Sequence, residues 1–366
     1  MKKRLLSIMT AATMTAAMVL SGCGGAQTAA TTAASSAETK TEAPAETTKA
    51  EETTKAEETT KAAGETTGKQ IVVGFSQVGA ESDWRTANTE SMKSTFTEAN
   101  GYKLIFDDAQ QKQENQLKAV RNFIQQDVDY IVIAPVTETG WDTVLQEAKD
   151  AGIPVIIVDR MIDVSDDSLY TAWVGSNFLQ EGYDAVAWLD DYLKKNNRAD
   201  EDINIVTLQG TIGSSAQIGR TDGVEEKMKD HPKWKMLERQ TGEFTQAKGQ
   251  EVMESFLKTY DDIDVVIAEN DNMAFGAIDA IKAAGKTCGP NGDIIIISFD
   301  AVAAAFDAMI AGDMNVSVEC NPLHGPRVAE IIQKLEKGES VDKIAYVQEG
   351  VYPADTAAAE KPKRAY

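Results

Sequence analysis

Several residues capable of polar and aromatic contacts crowd into one short segment, GFSQVGAESDWRTA, from Gly74 to Ala87. A carboxylate accepts hydrogen bonds, a guanidinium donates several in one plane, and an indole offers an apolar face. Neighbouring hydroxyls of a sugar ring match the acid and guanidinium groups, and the CH-bearing face of the ring packs on an aromatic surface. The segment therefore favours a small polyhydroxylated ligand. Its candidate binding residues are Glu81, Ser82, Asp83, Trp84 and Arg85.

Polar residues also follow three apolar runs that are typical of buried strands. The run VIIV is followed by Asp159 and Arg160, VVIAE by Asn270, and IIIISF by Asp300. In open parallel sheets the ligand site lies beyond the carboxyl ends of the strands. We therefore expect these side chains to share one rim with the first segment, although a single charged residue after a strand often belongs to a solvated loop.

Two residues outside these strand ends complete the predicted set. Phe244 offers a second aromatic surface on which a sugar ring could pack. Arg220, in SSAQIGRTDG, begins a helical pattern and is either a ligand donor or a solvated charge on the helix face.

The charge balance of this set bears on the ligand. It contains three arginines, Arg85, Arg160 and Arg220, and two strand-end aspartates. If Glu81 and Asp83 both turn to solvent, a closed site keeps one unpaired arginine, which favours an anionic ligand. If either acid turns inward, a neutral sugar fits. The sequence leaves both alternatives open.

Catalytic motifs are missing from the sequence. GFSQVG does not match a G-x-S-x-G nucleophile elbow, and no H-E-x-x-H, P-loop or G-x-G-x-x-G motif is found. His231 and His324 have no metal-ligand spacing, so neither a metal nor another cofactor is predicted. A pair of rim carboxylates could in principle hydrolyse a glycoside, but the sequence favours a binding protein over an enzyme.

The N-terminus has the pattern of an export signal. Lys2, Lys3 and Arg4 precede an apolar run from Leu5 to Leu20, and small residues follow. LSGC, ending at Cys23, resembles the lipobox of bacterial lipoproteins, which implies cleavage before a lipidated Cys23. Residues 1–23 are therefore predicted to be a lipoprotein signal peptide.

Residues 24–69 consist almost entirely of Ala, Thr, Glu, Lys and Ser, with TTKAEE repeated. The segment has no large apolar side chain to offset the entropy of ordering, so we expect a disordered tether. A lipid anchor at one end and a domain at the other predict a protein held at the outer face of the cell membrane, on the periplasmic side in a cell with an outer membrane.

The overall charge excludes one class of partner. The formal net charge of −22 becomes −25 when the three basic residues of the signal are removed. Nucleic-acid binding requires a basic face, so no nucleic-acid partner is expected. The remaining cysteines, Cys288 and Cys320, are predicted either to form a disulfide or to remain buried free thiols.

The ordered part, residues 70–366, alternates short β-branched runs with amphipathic helical patterns and then repeats the alternation. Continuous apolar strands with helical crossovers indicate parallel sheets covered on both faces. The length exceeds what one core usually organises, so we predict two α/β lobes with a cleft between them.

The blocks GFSQVGAESDWR, AKDAGIPVIIVDR, LQGTIGSSAQIGR and ENDNMAFGAIDAIKAAG resemble the periplasmic sugar-binding proteins of bacterial ABC importers, within the ribose-binding branch. The resemblance extends from Gln70 to about Thr356. It implies the type I periplasmic-binding fold: two Rossmann-like lobes joined by a three-strand hinge. On that pattern 70–175 plus 321–349 form the N-terminal lobe, and 176–320 plus 350–366 form the C-terminal lobe.

The resemblance also implies a function and places the candidate residues on it. Glu81–Arg85 falls on the first ligand loop with Trp84 as the stacking aromatic, and the strand-end residues and Arg220 fall on further ligand positions. The implied protein is a monomer that captures a monosaccharide, galactofuranose-like or another pentose or hexose, and delivers it to an ABC permease. The alternative is a sensor that docks on a chemoreceptor or histidine kinase.

Overall fold

The computed structural model describes residues 69–366; the predicted signal peptide, Cys23 and all of the predicted tether except Lys69 lie outside the described residues. Residues 69–366 form two α/β lobes, each built on a parallel sheet, so the predicted fold class is confirmed. No helix in this range combines the length and the apolar character needed to cross a membrane.

The first lobe contains a six-stranded sheet in the order β11-β5-β4-β3-β1-β2, with all pairs parallel. Its strands are β1 (Ile71–Gln77), β2 (Tyr102–Asp108), β3 (Tyr130–Ile133), β4 (Val155–Val158), β5 (Ala172–Gly175) and β11 (Ile344–Tyr346). Its helices are α1 (Asp83–Thr95), α2 (Gln113–Gln125), α3 (Asp142–Asp150) and α9 (Gly325–Glu336).

The second lobe repeats this order as β12-β10-β9-β8-β6-β7, with only β12 antiparallel to its neighbour. Its strands are β6 (Ile203–Gln209), β7 (Trp234–Thr241), β8 (Val265–Ala268), β9 (Ile295–Asp300), β10 (Val316–Glu319) and β12 (Val351–Pro353). Its helices are α4 (Phe178–Lys195), α5 (Ser215–Met228), α6 (Gln246–Thr259), α7 (Asp271–Ala283), α8 (Ala303–Ala311) and α10 (Ala357–Glu360).

Each sheet is buried on both faces, as the continuous apolar runs require. In β3, Ile131 and Ile133 pack into one core cluster while Val132 packs into another on the opposite face. β8 divides its side chains between two clusters in the same way. The central strands are therefore rigid supports for the residues at their carboxyl ends.

The chain passes between the two sheets three times within the described residues. The first crossing joins β5 to α4, the second follows β10 and leads to α9, and the third joins β11 to β12. Both lobes therefore depend on the same three connections, which are the hinge segments of this fold.

The segment Glu81–Arg85, which the resemblance places on the first ligand loop, includes the start of a helix. Helix α1 begins at Asp83, and the hydroxyl of Ser82 caps it by accepting a hydrogen bond from the Arg85 N–H at 3.1 Å. The cap explains the crowding of charged residues here, because the first turn of a helix leaves N–H groups without backbone partners.

The predicted alternative of a disulfide between Cys288 and Cys320 is wrong; both are buried free thiols. Cys288 pairs with Ile294, just before β9, whereas the Cys320 N–H lies at the opposite end of that strand, bonded to the Asp300 carbonyl. Six residues of extended strand span about 20 Å, well beyond the separation of about 7 Å that a disulfide permits.

A buried histidine at the N-cap of α9 contacts α1. His324 is fully buried; its Nδ1 lies 3.1 Å from the Asn88 amide nitrogen, and its Nε2 has no hydrogen-bond partner among the described residues. Burial lowers the pKa of His324 to about 4, and the charges of Arg327 and Arg85 act in the same direction against that of Asp159. The imidazole is therefore neutral in the folded protein at neutral pH.

The burial of His324 predicts that the folded protein loses stability as the pH falls. Because its pKa is lower in the folded chain than in the unfolded chain, its stabilising contribution is complete above about pH 6.5 and falls as the pH decreases towards 4, by up to about 3 kcal/mol. Urea unfolding at a series of pH values should show a smaller acid loss for H324Q than for the wild-type chain. H231Q, which changes the other histidine, should keep the wild-type profile, and identical profiles for all three proteins would contradict the assignment.

Candidate functional site

The candidate site is formed where the carboxyl ends of the two sheets face each other. Asp159 directly follows β4, and Asp300 ends β9, which occupies the equivalent place in the second sheet. Both adopt left-handed backbone conformations, with φ of 63° and 110°. Phe244, after β7, has φ of 61°. Such strain in non-glycine residues concentrates at binding and catalytic sites, and here it directs three side chains towards the cleft.

The first lobe contributes a buried cluster of charges. The Arg85 guanidinium donates from Nε to Glu81 Oε1 at 2.9 Å and lies 2.8 Å from Asp159 Oδ2. Arg160 lies 3.8 Å from Glu81 Oε1 and 3.9 Å from Asp159 Oδ2. The four side chains are at most 4% exposed. Two acids therefore neutralise two guanidinium groups within this lobe.

The pKa shifts of these arginines follow from their surroundings. Burial opposes the charge of Arg85, but Asp159 and Glu81 outweigh it and raise its pKa. Burial, with repulsion from Arg85, lowers the pKa of Arg160 to about 10. Both groups remain charged at neutral pH, and Arg160 is the less completely compensated of the two.

The second lobe contributes a matching cluster around Arg220, in the second turn of α5. Arg220 Nε donates to Glu181 Oε2 at 2.6 Å, its second terminal nitrogen reaches Asp300 Oδ1 at 3.5 Å, and the other donates to the Glu269 carbonyl. The Arg220 side chain is 3% exposed. It is therefore a buried side chain that lines the cavity rather than a solvated charge on the helix face.

Asp300 lies in surroundings that oppose its negative charge. Burial raises its pKa well above the usual range, and the negative charges of Asp271, Glu181 and Asp159 add to the shift against the attraction of Arg220. Asp300 therefore differs from Asp159, the equivalent residue of the first lobe, whose carboxylate lies 2.8 Å from the Arg85 guanidinium.

Three aromatic rings line the same space. The Arg85 guanidinium carbon lies 4.6 Å from the Trp84 ring centroid, and that of Arg160 lies 5.1 Å from Phe244. Phe178 lies 5.4 Å from the guanidinium of Arg220. Each arginine is thus held by an aromatic ring as well as by an acid. This leaves apolar ring surface and polar groups alternating around the cavity.

A glycine makes room for one of these rings. A Cβ at Gly210 would lie only 1.9 Å from Cζ of Phe244. Because no side chain fits there, Gly210 allows the Phe244 ring to pack over the end of β6.

These residues line a small cavity between the lobes, which has about 20 Å³ of water-accessible space. It brings together ten of the eleven predicted binding residues and adds three that were not predicted. Its lining is Glu81, Ser82, Trp84, Arg85, Asp159, Arg160, Phe178, Ala216, Arg220, Phe244, Asn270, Asp300 and Cys320.

The predicted residue outside the cavity is Asp83. Its side chain is exposed, its N–H donates to Asn272 Oδ1 at 3.0 Å, and the Asn272 amide nitrogen lies 3.4 Å from its carboxylate. Glu81, by contrast, turns inward and is 1% exposed. The structure thus selects the arrangement in which one acid of this segment joins the cleft.

Asn270 lines the cavity but is also a structural residue. Its Oδ1 caps α7 by accepting from the Met273 N–H at 2.9 Å, and its Nδ2 donates to the Phe244 carbonyl at 3.0 Å. The side chain therefore fixes the loop that carries Phe244, with one amide hydrogen left to face the cavity.

The lobes are closed on one another. Trp84, from the first lobe, packs in the core cluster of the second lobe with Phe178 and Phe244, and its indole N–H donates to the Cys320 carbonyl at 2.6 Å. The lobes are also joined by the bonds between Asp83 and Asn272, by the Met161 N–H to Ser215 Oγ bond at 2.7 Å and by the Glu138 N–H to Gly213 carbonyl bond at 2.9 Å.

The sequence analysis did not identify two acids that contact Arg220. Glu181 lies on α4, whose helical pattern gives no sign of a partner on another helix, and Glu269 is the last residue of the apolar block VVIAE. The Glu269 carboxylate accepts from Thr221 Oγ1 at 2.6 Å and from the Gly210 N–H at 2.7 Å, and burial raises its pKa to about 7. The position of Glu269 between a strand and the predicted Asn270 was the only available signal.

A domain profile described as Periplasmic binding protein domain matches residues 73–340. The chain belongs to this family. It is 45% identical over 298 residues to Galactofuranose-binding protein YtfQ of Escherichia coli strain K12, covering 80% of this chain and 91% of that protein. The family implies an exported, extracytoplasmic location, and the chain is related to galactofuranose-binding proteins.

Solved structures give the same relationship. A protein from Mycobacterium smegmatis in complex with β-D-fucofuranose superposes with a TM-score of 0.77 at 45% identity, covering 80% of this chain and 95% of that one. The binding protein of the arabinose ABC transporter from Shewanella sp. ANA-3, bound to α- and β-L-arabinofuranose, gives 0.75 at 47% identity with the same coverage. Such relatives are substrate-binding proteins and not enzymes, which confirms that prediction for this chain.

The buried charges predict different effects for two neighbouring acids. E81Q removes a carboxylate shared by Arg85 and Arg160, and we expect the free energy of unfolding to fall by about 3 kcal/mol because a buried charge loses its partner. D83N, at an exposed position, should change it by less than about 0.5 kcal/mol. Urea denaturation measures both, and equal losses would show that Glu81 does not neutralise the cluster.

Proposed function

We propose that this protein is a lipid-anchored solute-binding protein of an ABC sugar importer. It captures a neutral monosaccharide, galactofuranose-like or another pentose or hexose, between its two lobes and delivers it to the permease. The observation that carries the proposal is the closed cavity in which three guanidinium groups, their carboxylates and the Trp84 indole meet. The relatives with bound furanoses support a five-membered sugar ring as the ligand form.

The proposed chemistry of binding requires no bond to be made or broken. Arg85, Arg160 and Arg220 donate to the ring and hydroxyl oxygens of the sugar, while Asp159 accepts from its hydroxyl protons. In this proposal the CH-bearing face of the ring packs on Trp84.

Each lobe supplies some of the proposed contacts with the sugar. Arg85 and Asp159 belong to the first lobe and Arg220 and Asp300 to the second, so only the closed form offers all contacts at once. The ligand supplies the free energy that favours closure, because it binds the closed form better than the open one.

Binding is tested on the acid at the end of β4. D159N keeps the size of the side chain, and asparagine tolerates the left-handed backbone at this position. We expect D159N to abolish binding detectable by calorimetry with D-galactose, D-fucose and L-arabinose as probes, because the amide cannot accept as a carboxylate does and leaves Arg85 with Glu81 as its one acidic partner.

D150N is the matched control, since Asp150 is exposed in α3 away from the cavity, and it should retain the wild-type affinity within about twofold. Circular dichroism checks that both variants are folded. In the wild-type chain a bound sugar at 100 times its Kd should add about 2.7 kcal/mol of stability. Unchanged affinity of folded D159N for a sugar that stabilises the wild type would overturn the proposed site.

The anchor is tested separately. The lipobox ending in Cys23 supports lipid attachment, and C23S removes the thiol that would carry the lipid. When the gene is expressed in a bacterium, we expect the wild-type protein in the membrane fraction and C23S in the soluble or secreted fraction. C288S, which removes a buried thiol instead, should stay with the membrane, and membrane association of C23S would contradict the anchor.

A further inference from the structure

A buried carboxylate in the third hinge crossing forms hydrogen bonds with residues of the other two crossings. Oε1 of Glu349, in the third crossing, accepts from Ser176 Oγ in the first at 2.6 Å and from the Asn321 N–H in the second at 2.6 Å. Ser176 Oγ also lies 3.2 Å from Cys320 Sγ. Side chains from all three hinge segments thus converge on one point behind the cleft.

Glu181 of α4 reaches the same point. One ligating atom each from Glu181, Cys320 and Glu349 lies within 4.8 Å of the others. The Glu181 side chain is 4% exposed; Oε2 holds Arg220, while Oε1 is buried without a hydrogen-bond partner among the described residues. A buried carboxylate oxygen without a partner is costly, so this atom indicates a missing cation or donor.

The side chains around this point are mostly acidic. Glu181 and Glu349 supply two carboxyl groups beside the Cys320 thiol. The guanidinium of Arg220 is the cation paired with Glu181.

A solvent-connected hollow gives access to the cluster. It has about 90 Å³ of water-accessible space, and both Glu181 and Glu349 line it. Asp184 and Glu319 are further acids on its wall. A hydrated cation can therefore approach from the outer side of the hinge without passing through the sugar cleft.

We propose that Glu181, Cys320 and Glu349 bind a divalent transition metal, with zinc as the best match. A thiolate with two carboxylates suits zinc rather than calcium or magnesium, which take oxygen ligands only. Water from the hollow completes the four-coordinate site. Binding converts the Cys320 thiol to a thiolate, and its proton passes to solvent, so the affinity rises with pH.

The site would tie the hinge to the sugar-binding machinery. Glu181 would hold the metal through Oε1 and Arg220 through Oε2, and the other two ligands lie in the second and third crossings. The metal would therefore fix the crossings relative to the arginine that faces the cleft, without taking part in sugar contacts.

The test uses the full-length chain carrying C23S and C288S, which leaves Cys320 as the sole thiol. We expect one Co²⁺ per chain with the near-ultraviolet charge-transfer band of a cobalt–thiolate bond, and displacement of Co²⁺ by Zn²⁺. Adding C320S should abolish the band and weaken Zn²⁺ binding, measured by competition with a chromophoric chelator, at least about 100-fold, the upper range for outer-shell substitutions. Adding H231Q instead, at a histidine remote from the cluster, should leave both unchanged.

E349A provides an independent variant in case C320S disturbs folding, which circular dichroism checks for each protein. It should retain the thiol but weaken Zn²⁺ binding at least about tenfold. The proposal is overturned if the parent protein shows no thiolate band. It is equally overturned if Zn²⁺ binds as tightly to folded C320S and E349A as to the parent.

Discussion

The cleft depends on keeping buried guanidinium groups neutralised within their own lobe. Arg85 and Arg160 share Glu81 and Asp159, all from the first lobe, and Arg220 holds Glu181 from the second. An unpaired buried charge costs several kcal/mol, so pairs formed across the cleft would be broken at each opening. Pairs within each lobe avoid that cost. Each lobe therefore contains the acids that pair with its own buried guanidinium groups.

The same constraint explains the repeated backbone strain. Asp159 and Asp300 occupy equivalent strand ends in the two sheets, and both have positive φ. A regular strand ending would send its last side chain to one face of the sheet, where helices cover it. The left-handed residue turns the carboxylate along the strand direction instead, towards the arginine beside it. The sheets are buried on both faces and rigid enough to hold this geometry.

The sequence predicts those parts of the site that follow from strand geometry. Asp159, Asn270 and Asp300 could be placed because the carboxyl ends of parallel strands meet at one rim. The orientation of Glu81 and Asp83 could not be placed in this way, because it depends on the residue at which α1 begins. Ser82 caps that helix, which exposes Asp83 and turns Glu81 towards Arg85. An N-cap serine followed by an acid was a local signal, but the apolar strand before it suggested a loop.

Contacts between residues on different helices could not be predicted from the sequence. Glu181 and Arg220 lie 39 residues apart on α4 and α5, and close packing of these helices brings them together. A Cβ at Gly182 would lie 2.7 Å from the Arg220 carbonyl, and one at Gly223 would lie 2.4 Å from the Leu179 carbonyl. The two glycines let the helix backbones approach until the carboxylate reaches the guanidinium. A larger residue at either position would move Glu181 away from Arg220, so the charge balance of the cleft rests on backbone packing as well as on the charged residues themselves.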